Sequence, residues 1–423
     1  MYITTPIYYV NGSPHIGSCY TNFICDTLAR FFKSTAEDVF FLTGTDEHGQ
    51  KIQKSAKTQS PQAFVDAASL EFKKVFDELQ ISYDYFIRTT QKSHHVAVAH
   101  LWNAIKDFIY LGAYSGFYAV QDEAFYDEKE IIDQKAPSGS SVEWIEEPSY
   151  FFKLSAFQDR LLDFYDKNPN FIQPESRRNE VVRFVEGGLQ DLSISRTTFT
   201  WGIPVPDDSR HVIYVWLDAL TNYITALGYP DTNSDLFEKF WPSATHIIGK
   251  DILRFHAVYW PAFLMAANLP LPKTIFAHGW WTHEGEKMSK SKGNVVDPLV
   301  MAKRYGSDAL RYYLLREIPL GSDGDFCESA LCNRYNNELA NSFGNLVQRV
   351  FSFIHKSFES KIPKPSCLTK NDHLFLEKFL TVYEEIKKLV CEKYALNRYA
   401  ELFMSLCAHA NQYVDFEKPW LLQ

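Results

Sequence analysis

The run from Tyr2 to Tyr9 is short, apolar and β-favouring, and it empties into a turn at Asn11-Gly12 followed by Ser13-Pro14. Serine then proline marks a helix start, with the serine as N-cap and the proline at the first helical position. Ile16, Tyr20, Phe23, Ile24, Leu28 and Phe31 recur at helical spacing, so one face of that helix has to be buried against a sheet. A strand feeding a helix in this way commits the chain to α/β architecture, and it aims the unpaired N–H groups of the first turn at whatever sits above the strand. Such an end attracts phosphate. Gly17 has no side chain to keep a flat base and ribose off the backbone, and His15 can donate a hydrogen bond to an oxygen that gains charge. Taken alone, Pro14-His15-Ile16-Gly17 is accounted for by a capped helix with an incidental histidine.

A second stretch changes that balance. After an apolar run at Thr274 to Ala277, which reads as a buried strand, the sequence becomes rich in glycine, lysine and serine from Gly285 to Asn294. Lys287, Lys290 and Lys292 place three cationic heads on one loop, suited to neutralising a triphosphate while pyrophosphate leaves. Most lysine clusters are solvated basic loops. Two such ends, each behind a strand, read together as one ATP site.

Between these stretches, Val39 to Thr43 reads as a strand, and Phe64 to Leu79 and His94 to Tyr110 as amphipathic helices. From Ala113 to about Pro206 the rhythm breaks into short aromatic strands and acidic turns, as in an insertion. It returns with strands at Val212 to Trp216 and Thr245 to Ile248, a helix from Asp251, and the strand at Thr274 to Ala277, so the two halves are expected to share one sheet. From Asp325 onward glycine almost vanishes and long helical patterns follow, Cys327 to Phe358, Asn371 to Tyr394 and Leu396 to Phe416. The expected fold is an α/β, Rossmann-like parallel sheet split by an insertion and followed by an all-α bundle. The expected segments are 1–112, 113–206, 207–324 and 325–423.

Composition narrows the class. With 423 residues, 46% hydrophobic and 16% aromatic, the chain has room for two or three domains and is not disordered. No stretch approaches a membrane span, and the first residues do not read as a leader, so a cytoplasmic location is expected. Seven cysteines without a CxxC pair fit a reducing compartment. A net charge of −9 requires any nucleic acid to be held by local basic or stacking surfaces.

The chain resembles the methionyl-tRNA synthetase family, a class I aminoacyl-tRNA synthetase family, over essentially its whole length. The two class signatures stand in order at Pro14 to Gly17 and Lys287 to Ser291. Strings similar to the methionine enzymes are Thr43-Gly44-Thr45-Asp46-Glu47-His48-Gly49, Ile194-Ser195-Arg196 with Trp201 to Pro206, Tyr214-Val215-Trp216-Leu217-Asp218-Ala219, and Gly249-Lys250-Asp251 leading to His256. The resemblance implies ligation of L-methionine to tRNA(Met) with Mg2+ and ATP through an adenylate, without a protein nucleophile. It implies catalytic roles for His15, Lys287 and Lys290, and ATP contacts from His15, Gly17, Ser18, Asp251, Lys287, Ser289 and Lys290. Asp46 is similar to the carboxylate that holds the substrate ammonium, and Ile7, Tyr9, Trp216, Ala219, Tyr223, Ile252 and His256 line up with the side-chain pocket. Aromatic rings suit a polarizable thioether, although apolar pockets reject near-isosteres such as homocysteine weakly. Asn345, Arg349 and Trp420 match the positions that read the anticodon, and the first two, four apart on one helix, share a face.

Three departures from the family pattern stand out. Ser18 occupies the place of a second histidine; it can still donate a hydrogen bond but carries no charge. The insertion carries Val120-Gln121-Asp122-Glu123 and Ala136-Pro137-Ser138-Gly139 where relatives place CxxC pairs, so no zinc or other metal is expected in the fold. It is also too short for the editing domain of the valine, leucine and isoleucine enzymes. The sequence stops at Gln423, soon after Trp420, where relatives continue through further helices, so a shortened C-terminus and a monomer are expected. Two other readings stay open: a catalytically weakened tRNA-binding paralogue and a small-molecule nucleotidylyltransferase.

Overall fold

The computed structural model describes residues 1–119, 124–126, 128–288, 294–365 and 367–421. It comprises two compact units, Met1–Pro14 with Cys25–His278, and His15–Ile24 with Gly279–Gln423, so the division passes through the helix Ile16–Ser34.

The first unit is built on a seven-stranded parallel sheet. Its order is Tyr8–Tyr9, Phe40–Asp46, Tyr2–Thr4, Ala244–Gly249, Thr274–His278 and Ile172–Gln173, with Tyr85–Arg88 also paired to Phe40–Asp46. Tyr2 lies opposite Phe40 on one side and Ala244 on the other, so the two halves of the chain do share one sheet. The strands are buried along nearly their whole length, as a sheet covered on both faces requires. Gly44 is a glycine for a local reason: a Cβ there would lie 2.0 Å from the Ile87 carbonyl oxygen of the neighbouring strand. The strand order reverses between Tyr2–Thr4 and Ala244–Gly249, and in doubly wound sheets ligands bind beyond the carboxyl ends of the strands at such a point. The residues that follow these two strands include Ile7 and Tyr9 on one side and Lys250, Asp251 and Ile252 on the other.

Between the halves, Ile109–Ala119 pairs antiparallel with Ala124–Tyr126 and Glu143–Phe152, which in turn pairs with Leu192–Ser193. This ladder claims Ile109 and Tyr110, so the helix expected to reach Tyr110 is Lys92–Ala104 instead. The segment that breaks the rhythm also gives the strand Ile172–Gln173 to the parallel sheet. The Val212 to Trp216 run is divided. Asp208–Ile213 pairs antiparallel with Ser195–Arg196 and Pro204–Val205, and Val215–Thr225 is a helix capped by the extended Tyr214. A short apolar run looks the same as strand or as helix start, which is why its spacing misled.

In the second unit Trp281–His283 pairs antiparallel with Glu286–Lys287 and parallel with Gly324–Asp325. The helices Pro298–Tyr305, Ser307–Arg316 and Glu328–Arg334 follow, then a wide-turn π segment Tyr335–Gly344 that runs into Asn345–Ser357. Lys370–Lys393 starts in a capping box in which Thr369 and Asp372 each satisfy the other's backbone N–H. It ends at a left-handed Tyr394 before the helix Leu396–Glu417. Among the described residues no helix is long and apolar enough to cross a membrane.

Candidate active site

In the first unit, Trp216, Ala219 and Tyr223 recur along one face of the helix Val215–Thr225. Tyr223 is fully buried and its hydroxyl lies 2.7 Å from His256 Nε2, while His256 Nδ1 lies 2.9 Å from the Ile252 carbonyl oxygen. A carbonyl only accepts, so Nδ1 carries the proton and donates; Nε2 is then the acceptor and the tyrosine hydroxyl the donor. Burial pushes His256 down to about 4 against the opposing pull of the Ile252 carbonyl and Asp251, so the ring is neutral at physiological pH. His246 stacks on Tyr223 with ring centroids 4.0 Å apart, is bonded through Nδ1 to Thr4 Oγ1 at 2.8 Å, and is held well below the usual histidine range by burial and by His256. Trp216 lies parallel to Phe255 with ring centroids 3.5 Å apart. The result is an aromatic, polarizable and uncharged wall. Phe255 was missed from sequence because its partner lies thirty-nine positions upstream, although it falls between Ile252 and His256 on one helical stretch.

Asp46 ends its strand directly opposite Tyr9 and is almost fully buried. The residue after it, Glu47, accepts from Thr45, Thr90 and two nitrogens of Arg88, and its carbonyl accepts the Trp201 indole N–H at 2.6 Å. These bonds lock the turn that carries Asp46. His48 Nδ1 reaches the fully buried Asp218 at 2.6 Å, and His94 Nε2 reaches its other oxygen at 2.8 Å. Burial alone would push the Asp218 carboxyl up, but the two imidazoles hold it below the usual carboxylate range. Ile7 and Ile252 pack against the core with part of each exposed, and Ala219 is buried. Asp251 is exposed, and a Cβ at Gly249 would lie 2.5 Å from its Oδ1.

In the second unit the helix begins at Ile16, not at Pro14, and His15 rather than Ser13 caps it. His15 Nδ1 accepts the Gly17 N–H at 3.0 Å, which takes up one of the unpaired first-turn donors. Ser18 Oγ accepts the His15 N–H at 3.2 Å and donates to the His15 carbonyl at 3.0 Å. A Cβ at Gly17 would lie 2.8 Å from His15 Cε1, so the glycine makes room for the imidazole of its own loop. The Ile16 N–H donates to the Val296 carbonyl at 3.3 Å, tying the first signature to the segment that follows the second. Lys287 pairs through its backbone with Thr282; Ser289 and Lys290 lie outside the described residues.

Asn345 is exposed at the start of its helix. Arg349, expected to share a face with Asn345, is bonded to Asn411 Oδ1 at 3.3 Å and to Asp415 from the last long helix. Trp420 is 46% exposed in the short turn Pro419–Leu421.

The tRNA synthetases class I (M) family matches residues 1–141 and 128–351. A methionine--tRNA ligase of Rickettsia bellii is 54% identical over all of this chain and 84% of its own length, and one of Brucella suis is 50% identical over all of this chain and 83% of its own. The solved methionyl-tRNA synthetase of Mycobacterium tuberculosis in complex with methionyl-adenylate superposes with a TM-score of 0.95 at 46% identity, over all of this chain and 84% of that one. Its apo form gives 0.88 at 43% identity, over all of this chain and 82% of that one. The parallel sheet and the matched strings that frame it have a common origin: the chain belongs to the tRNA synthetases class I (M) family.

Proposed function

We propose that the residues assembled above carry a two-step ligation of L-methionine to tRNA(Met). Methionine activation with ATP and tRNA charging are the activity of this chain. A methionine carboxylate oxygen attacks the α-phosphorus of Mg-ATP, the bond to the β-phosphate oxygen breaks and pyrophosphate leaves. A hydroxyl of the terminal tRNA ribose then attacks the adenylate carbonyl and AMP departs. No side chain forms a covalent bond, so alignment and charge stabilisation carry the rate.

Asp46 pairs with the substrate ammonium, and Ile7, Tyr9, Trp216, Ala219, Tyr223, Ile252 and His256 surround the side chain, with Phe255 backing Trp216. Asp251 takes the adenosine ribose. His15, helped by Gly17 and Ser18, donates to phosphate oxygens, and Lys287, Ser289 and Lys290 gather the leaving pyrophosphate. Magnesium arrives with ATP as part of the substrate, and zinc is not required. Asn345, Arg349 and Trp420 read the anticodon from segment 325–423, with 1–112 and 207–324 forming the catalytic domain around the insertion 113–206. The seven cysteines without a CxxC pair support a reducing compartment, the cytoplasm.

The observation that carries the reading is the match over the whole chain to a synthetase in complex with methionyl-adenylate. The uncharged His256–Tyr223 pair beside stacked aromatic rings supports methionine as the amino acid. The test is ATP–pyrophosphate exchange with each standard amino acid in turn. Exchange that requires methionine is expected; exchange indifferent to amino acid would indicate a nucleotidylyltransferase and sink the reading.

A further inference from the structure

We infer that Ser18 is a positioning residue for the nucleotide chemistry, acting through His15 rather than by touching ATP. The inference rests on the reading of His15 as a donor to ATP phosphate.

The Ser18 hydroxyl bonds residue 15 on both sides of its Cα, accepting from the His15 N–H at 3.2 Å and donating to the His15 carbonyl at 3.0 Å. Those two bonds restrain the backbone angles of His15. The side chain is restrained separately, because Nδ1 accepts the Gly17 N–H at 3.0 Å and the missing Gly17 Cβ, which would stand 2.8 Å from Cε1, leaves the ring its place. This is the logic of a capping box with an imidazole as the capping group and a serine hydroxyl reaching back from the third helical position.

One consequence is electronic. With Nδ1 committed as an acceptor, the proton of the neutral imidazole sits on Nε2, on the opposite side of the ring from the helix backbone. His15 is therefore preset as a donor, at a helix end that already favours anions. A second consequence concerns the residue type at position 18. One hydroxyl oxygen both donates and accepts, whereas a neutral imidazole divides these functions between two nitrogens. A histidine at position 18 could not make the same pair of bonds from one atom. Ser18 is then a part of the His15 device, with its hydroxyl spent on the protein.

The test uses the whole chain and two readouts. The first is the long-range 15N spectrum of the His15 ring, which distinguishes an Nε2–H from an Nδ1–H tautomer. The second is methionine-dependent ATP–pyrophosphate exchange for Ser18→Ala, His15→Ala and the double variant. Ser18→Ala should lower kcat about fivefold, the scale of losing a helix N-cap, with KM for methionine unchanged. It should also mix the His15 tautomers. In the His15→Ala background the same substitution should change the residual rate by less than about twofold, because the two act as a unit. Ser18→Thr, which keeps the hydroxyl, should restore both signals. Ser18→Cys, of similar volume and weak hydrogen bonding, should reproduce the alanine result if Ser18→Ala fails to fold. Equal losses with and without His15, or an unaltered His15 spectrum in Ser18→Ala, overturn this inference alone. Unchanged exchange in His15→Ala overturns the reading of His15 and this inference with it.

Discussion

Replacing His256 with glutamine isolates the effect of a buried imidazole that refuses a proton. In the folded chain this ring is pushed down to about 4, chiefly by burial, while an unfolded histidine titrates near its ordinary value of 6.5. The folded-state value is depressed, so its contribution to stability is complete above pH 6.5 and is lost as the pH falls from there towards 4, where the unfolded chain binds the proton and the folded chain does not. Between pH 7.5 and 5.0 the linkage amounts to about 2 kcal/mol. In His256→Gln an amide oxygen can take the Tyr223 hydroxyl bond without titrating, so this part of the acid sensitivity disappears. Urea unfolding followed by tryptophan fluorescence reads it directly. Acidification should move the wild-type midpoint further than the variant's, by on the order of 0.7 M for a slope of about 3 kcal/mol/M. His246 is present in both proteins and is held down chiefly by burial in each, with His256 the lesser cause, so the difference between the two proteins reads mainly the His256 ring. Equal acid shifts in the two proteins would refute the argument, since His256 would then be charged in the folded state or free to leave its pocket.

Gly17→Ala places a methyl group 2.8 Å from His15 Cε1, so pyrophosphate exchange should fall by about two orders of magnitude, the loss of one preorganised donor, with KM for methionine little changed. Asp218→Asn leaves one of the two imidazole N–H groups that face it without an acceptor in a fully buried site and should cost about 1–3 kcal/mol, read as a lower urea midpoint at pH 7.5. Trp420→Ala should weaken charging of tRNA by about 1–3 kcal/mol, the scale of one base stacked on an aromatic ring, while leaving methionine-dependent exchange intact; a matched fall in both assays would remove Trp420 from anticodon reading.

What could be read in the sequence was what is local. The helix after residue 15 obeys a periodicity that a reader can count, the β-favouring run Tyr2–Tyr9 was legible although it divides into the strands Tyr2–Thr4 and Tyr8–Tyr9, and the Thr245–Ile248 and Thr274–Ala277 runs announced the other half of the sheet through Ile247, Ile248, Ile275 and Phe276. The Asp218 carboxylate was hidden, since its two imidazoles lie 170 and 124 positions upstream and no spacing rule reaches that far. Ser13 looked like the cap because serine before proline is the common pattern. The imidazole nitrogen of His15 captured the N–H group instead, a choice made by side-chain torsions that a sequence does not display. The role imagined for Gly17, room for a ligand, stands beside a simpler cause: the ring of its neighbour fills that space. Arg349 was placed on the right helix, but its grip on Asp415 depends on how a later helix docks.

The single hydrogen bond from the Ile16 N–H to the Val296 carbonyl sets an order on how the protein is made. Residues His15–Ile24 belong with Gly279–Gln423, so the first turn of the helix Ile16–Ser34 leaves the ribosome long before the chain it packs with exists. The central Tyr2–Thr4 strand waits in the same way for Ala244–Gly249. Domains fold during synthesis as their partners emerge. A nascent chain halted anywhere before residue 296 therefore holds the start of this helix without the carbonyl that its Ile16 N–H pairs with, and that helix end is completed only late in translation.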